Sequence, residues 1–211
     1  DKDTEDKKFA SINSINWTRI MAQITYYVYA VKQLSLFKKK NISFSVPTGN
    51  FGDAYAGYLA KSKLNTSIEK IIIATNENDI LHRFFKSGKY FKDNVKSTNS
   101  PSMDIQVASN FERLLYDILH EDSNKVLKTM NNFELSNKLF IEKSTNKKIL
   151  ENFISFSIEQ PRTLDIIRKV YDKYNIILDP HTAVGYAASS DYLKKYEDHT
   201  VVTLATAHPA K

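Results

Sequence analysis

From Trp17 onward, apolar residues recur every three or four positions: Trp17, Ile20, Met21, Ile24, Tyr27, Val28, Val31 and Leu34. That spacing predicts an amphipathic helix. Short apolar runs at 42–46, 71–75 and 200–204 predict strands. Residues 54–63 between the first two read as a helix, which gives a β-α-β unit with a parallel crossover. Helical periodicity returns over 78–86, 105–119, 123–134 and 147–174, with Pro161 expected to divide the last stretch into two helices. Residues 138–141 and 175–178 are weaker strand candidates. A further helix begins near Thr182, capped by Asp179 or by Thr182 itself. The chain therefore reads as an α/β protein: 1–94 in the α/β unit, 95–175 a mainly helical region, and 176–211 a return to the α/β unit. Residues 1–8 are polar and charged and read as a solvated or frayed end.

One segment breaks the apolar rhythm with glycine. Pro47-Thr48-Gly49-Asn50-Phe51-Gly52-Asp53 lies between a predicted strand and a predicted helix, and Gly49, Gly52 and Gly57 are three of the five glycines in the chain. A strand, a glycine turn and a helix N-terminus together leave backbone N–H groups without helical partners in a field that favours anions. Phosphate is the expected guest. On these residues alone a nucleotide, a flavin or a pyridoxal group could carry it.

Composition narrows the field further. The 211 residues suit one domain with a substantial core, and 42% hydrophobic with 26% charged residues is ordinary for a globular chain. No apolar run approaches the roughly 20 residues of a membrane span, so no membrane partner is expected. The net charge of +6 comes from scattered lysines, with short runs at Lys38-Lys39-Lys40 and Lys147-Lys148. Nucleic-acid binding calls instead for a concentrated basic face with aromatics, and no nucleic-acid partner is expected. With no cysteine there is no disulfide, thiolate metal site or cysteine nucleophile, and the five histidines lack metal-ligand spacing.

Three further clusters could carry chemistry or merely structure. Asn13 and Ser14 can cap the Trp17 helix, and Arg19, just over one turn in, can fold back towards that end to grip an oxyanion. Asn76 and Glu77 follow the second strand, where open parallel sheets bind ligands, yet Asx capping would explain them equally. His181 and His208 sit in turn-like contexts, where each could line a cleft or serve as a hydrogen-bonded structural group.

Taken together, these segments resemble the threonine synthase family in its longer microbial and fungal form. The resembling segments are Asn13-Ser14-Ile15-Asn16-Trp17, the 46–53 glycine stretch, Ala74-Thr75-Asn76-Glu77-Asn78-Asp79-Ile80-Leu81-His82-Arg83-Phe84, Ser100-Pro101-Ser102-Met103-Asp104-Ile105, Ser109-Asn110-Phe111-Glu112-Arg113-Leu114, Asp179-Pro180-His181-Thr182-Ala183-Val184-Gly185 and Leu204-Ala205-Thr206-Ala207-His208-Pro209-Ala210-Lys211. They occur in family order across nearly the whole chain. The resemblance implies the open, mostly parallel sheet of a fold-type II enzyme and the cofactor pyridoxal 5′-phosphate. It implies that Gly49, Asn50, Phe51, Gly52 and Asp53 hold the cofactor's phosphate and that Thr206 faces its pyridine nitrogen. Asn13, Ser14 and Arg19 match positions that bind the substrate's phosphate.

The implied reaction converts O-phospho-L-homoserine and water to L-threonine and phosphate in a cytoplasmic enzyme. Two alternatives accompany it: a threonine synthase-like phospho-lyase, and a non-catalytic binding or signalling module derived from the fold. The family's Schiff-base lysine lies in a Phe-Lys-Asp motif upstream of the glycine loop. Phe91-Lys92-Asp93 has the same letters but falls after the loop, in a stretch that reads as exposed, so Lys92 is not taken as catalytic. The expectation is a piece of an enzyme, without its N-terminal domain and C-terminal helices and inactive alone.

Overall fold

The computed structural model describes residues 13–142 and 144–210. In chain order these form α1 (Trp17–Leu36), β1 (Ile42–Pro47), α2 (Gly52–Ser62), β2 (Ile68–Thr75), α3 (Ile80–Ser87), β3 (Lys89–Phe91), a 3₁₀ turn (Pro101–Met103), α4 (Phe111–Ile118), α5 (Ser123–Ser136), β4 (Lys138–Phe140), α6 (Lys147–Leu150), β5 (Phe153–Ser157), α7 (Gln160–Tyr174), α8 (Pro180–Leu193) and β6 (Thr200–Thr203). Four strands build a parallel sheet in the order β5-β2-β1-β6, and β3 with β4 makes a separate antiparallel ribbon.

Alternation along the strands explains how both faces are covered. Ile71 and Ile73 of β2 join Ile42, Phe44 and Val46 of β1 in a core shared with Ile20 and Tyr27 of α1 and with the buried face of α2. Ile72 and Ala74 point the other way, into a second core with Val184, Ala187, Ala188 and Tyr192 of α8. The intervening β1 residues are serines, and each is satisfied by α8. Ser45 Oγ donates to the Gly185 carbonyl at 2.7 Å, and Ser43 Oγ donates to the Tyr192 hydroxyl at 3.3 Å. Gly185 is required there, because a Cβ would stand 2.9 Å from the Pro47 ring.

Three sequence expectations are corrected. Residues 147–174 are not two helices divided at Pro161: α6 is a single turn, and β5 pairs in parallel with β2 from Ile71↔Phe153 to Thr75↔Ser157. Pro161 sits in the first turn of α7, where its missing N–H costs nothing. Residues 105–110 are not helical; Ala108 N–H donates instead to the Tyr90 hydroxyl at 2.8 Å. Residues 175–178 form no strand, since Asn175 ends α7 in the left-handed conformation and Ile176 and Ile177 face solvent.

Candidate active site

The carboxyl ends of β1 and β6 open into a cleft of about 650 Å³ bounded by α1, the start of α2 and the chain after β6. Parallel α/β sheets bind ligands at this end of their strands. The turn from Thr48 to Gly52 enters the cleft directly from β1. Among the described residues, no acceptor meets the backbone N–H groups of Gly49, Asn50, Phe51, Gly52, Asp53 or Ala54. Consecutive free N–H groups at a helix N-terminus suit a phosphate dianion in both charge and geometry, so the turn fits a phosphorylated cofactor.

Side chains hold the turn in shape. Phe51 takes a left-handed backbone conformation, φ 65°, that a phenylalanine adopts only under constraint. The constraint is its ring, 1% exposed and packed against Tyr55, Phe85 and Phe153. Phe51 therefore offers the cleft its backbone. Gly49 is needed because a Cβ there would lie 2.8 Å from the Ser102 carbonyl oxygen. Asn110 closes the other side: its N–H and its side-chain amide both donate to the Asn50 carbonyl, at 3.0 Å each.

Asp53 receives hydrogen bonds from two tyrosines of α1. The Tyr26 and Tyr27 hydroxyls both donate to Oδ1, and Tyr27 also donates to the Asp53 carbonyl at 3.0 Å. Burial pushes the Asp53 carboxyl above its usual range, against the pull of the two hydroxyls and of Arg19. Both tyrosines are raised by burial and then by the Asp53 charge, so they remain donors.

The second predicted anion site lies at the start of α1. Asn16 is the cap, its side chain accepting from Thr18 N–H at 2.9 Å, in place of the expected Asn13 or Ser14. Asn13 makes a local turn through Ile15 N–H and does not line the cleft. Ser14 does: its hydroxyl lies 3.3 Å from that of Ser109, which in turn donates to Asn50 Oδ1 at 3.2 Å. Arg19 is exposed in the cleft, and among the described residues its guanidinium has no ion-pair partner. Ser14, Arg19, the glycine turn and Thr206 thus line one cleft, which leaves Asn13 outside it.

The opposite wall depends on Asp179, the N-cap of α8. It accepts from His181 N–H at 2.9 Å, from Thr182 N–H at 3.1 Å and from the Thr182 hydroxyl. Thr182 Oγ1 accepts from Thr206 N–H at 3.3 Å. His181, 3% exposed, both lines the cleft and is hydrogen-bonded: Nδ1 is 3.0 Å from Asp179, and Nε2 accepts from Ser102 N–H at 3.3 Å. Asn76, for which ligand binding and capping were equal readings, is a loop anchor. Its amide donates to Thr98, Ser100 and Asp104 and fixes the segment that carries Ser102 and Met103 into the cleft.

Lys92 lies elsewhere, exposed beyond β3 with its Nζ 5.2 Å from the Phe133 ring centroid. Among the cleft residues given no role in the sequence are Gln23, Tyr26, Tyr29, Ala30, Ser102 and Met103. Gln23 and Tyr26 carried a usable signal, since they follow Arg19 at four and seven positions on one helix face.

The family described as "Threonine synthase, C-terminal" matches residues 182–211. The chain is 43% identical to threonine synthase of Pseudomonas aeruginosa over 97% of its own length and 43% of that protein's. It is 44% identical to the threonine synthase of Saccharomyces cerevisiae, over 98% of this chain and 44% of the relative. It superimposes on the crystal structure of PLP-bound threonine synthase from Brucella melitensis with a TM-score of 0.87 at 42% identity, covering 95% of this chain and 42% of that one. The chain thus spans less than half the length of the relatives it matches.

Proposed function

This chain belongs to the threonine synthase family, and from that premise we propose that the whole protein converts O-phospho-L-homoserine and water to L-threonine and phosphate with pyridoxal 5′-phosphate, in the cytoplasm. One observation carries the reading. The cleft presents two separate elements suited to anions, the N–H groups from Gly49 to Ala54 and the guanidinium of Arg19, which among the described residues have no acceptor and no ion-pair partner. A phosphorylated cofactor acting on a phosphorylated substrate needs both.

Gly49, Asn50, Phe51, Gly52 and Asp53 would hold the cofactor's phosphate through their backbone, and Thr206 would take its ring nitrogen. The bound cofactor supplies an electron sink for the carbon that bears the substrate's amino group. A neutral threonine hydroxyl, unlike a carboxylate, does not hold the ring nitrogen protonated. Ser14 and Arg19 would grip the substrate's phosphate and stabilise it as it leaves. Asn13, outside the cleft, would act through the turn that places Ser14.

The test is product analysis on the whole protein loaded with pyridoxal 5′-phosphate. Equal amounts of threonine and phosphate from O-phospho-L-homoserine uphold the reading. Release of 2-oxobutyrate would overturn it in favour of a phospho-lyase, and no phosphate release would overturn both.

A further inference from the structure

Helix α1 presents a row of residues to the cleft: Arg19, Gln23, Tyr26 and Ala30, one helical turn after another. The two outer polar members have roles on the page. Arg19 belongs to the substrate-side anion element, and Tyr26 is bonded to Asp53 at the glycine turn. Gln23 lies between them. It is half-buried, and among the described residues its amide has no hydrogen-bond partner. A primary amide that lines a cleft and has no protein partner has its donors and acceptor free for a ligand. The Tyr26–Asp53 bond fixes the rotation of α1 and so holds Gln23 towards the cleft.

We propose that Gln23 is a substrate-binding residue whose amide N–H donates to a phosphate oxygen held by Arg19. This rests on the reading of the cleft given above. The neutral amide adds a donor between the two phosphate elements without adding a charge.

The experiment uses the whole holoenzyme and the variants Gln23→Met and Gln23→Glu, both good helix formers. Inorganic phosphate serves as the probe, as a competitive inhibitor. A hydrogen bond to a charged group sets the scale of about tenfold to a hundredfold. Gln23→Met should weaken phosphate inhibition and raise KM by that factor, with kcat, cofactor affinity and Tm unchanged. Gln23→Glu should weaken both more, through like-charge repulsion. Unchanged inhibition and KM in Gln23→Met, or loss confined to cofactor binding, would overturn the assignment. A wild-type enzyme that releases no phosphate from its substrate would instead overturn the underlying reading, so the two failures are distinguishable.

Discussion

The imidazole of His181 bridges Asp179 and the Ser102 loop, with Nδ1 3.0 Å from Asp179 Oδ1 while Nε2 accepts from Ser102 N–H. Because Nε2 accepts, the ring proton of the neutral imidazole belongs on Nδ1, where it donates to Asp179. One buried carboxylate therefore sets the start of α8, the loop against Gly49, and, through Thr182, the backbone of Thr206.

Removing that carboxylate should be costly. Asp179→Ala strips the acceptor from His181 N–H, Thr182 N–H and the Thr182 hydroxyl, and each buried unsatisfied donor costs about 1–3 kcal/mol. We expect a loss of about 3 kcal/mol in urea unfolding, given partial rehydration. Asp179→Asn, which keeps one acceptor oxygen, should lose less. Amide exchange should also quicken at 98–104 in the alanine variant, and unchanged exchange there would contradict the linkage.

Asp53 makes stability depend on pH in a direction that can be checked. Its folded pKa lies above the ordinary 3.8, chiefly through burial. A raised carboxyl contributes stability that is fully present below the unfolded value and is lost as pH rises through the folded one. Stability of the wild type relative to Asp53→Asn should therefore fall as pH rises from about 4. A difference that rises over this window would show that the two tyrosine hydroxyls outweigh burial.

How much was legible in the chain follows from what each residue touches. The strands at 42–46, 71–75 and 200–204 are buried or half-buried next to neighbours that sequence reasoning also found, so their apolar runs were readable. Strand β5 was not, because Ile149, Leu150, Phe153 and Ile154 are spaced as a helix would space them. Only pairing with β2, remote in sequence, decides otherwise. The glycine turn carried its anion-site signature in local chemistry, a strand, glycines and a helix N-terminus in sequence. Gln23 and Tyr26 offered only the helix face they share with Arg19, since a polar or aromatic residue on a helix acquires its meaning from what lies opposite.

The question of the Schiff-base lysine has a simple control. Lys92 is exposed and outside the cleft, next to the Phe133 ring. Lys92→Ala in the whole protein should leave turnover and cofactor absorbance at wild-type values. Loss of the cofactor's absorbance band in this variant would show that the Phe91-Lys92-Asp93 segment holds the cofactor after all.

Glycine-to-alanine substitutions at Gly49 in the turn and Gly57 in α2 should separate cofactor binding from core packing. Gly57 lies inside α2, where a Cβ would meet the Tyr27 ring at 2.8 Å and Ile71 Cδ1 at 2.9 Å. Gly57→Ala overpacks the core and should cost about 1–3 kcal/mol, although helix propensity alone favours alanine. It also presses on the ring whose hydroxyl holds Asp53. At Gly49 the obstacle is backbone, the Ser102 carbonyl oxygen at 2.8 Å, so the turn and the 3₁₀ segment must part. Gly49→Ala should therefore weaken cofactor binding at least tenfold, about 1.4 kcal/mol, with a smaller change in Tm than Gly57→Ala. Cofactor titration and thermal unfolding of both variants decide the matter. A Gly49→Ala protein that binds the cofactor normally would remove the glycine turn from the phosphate site.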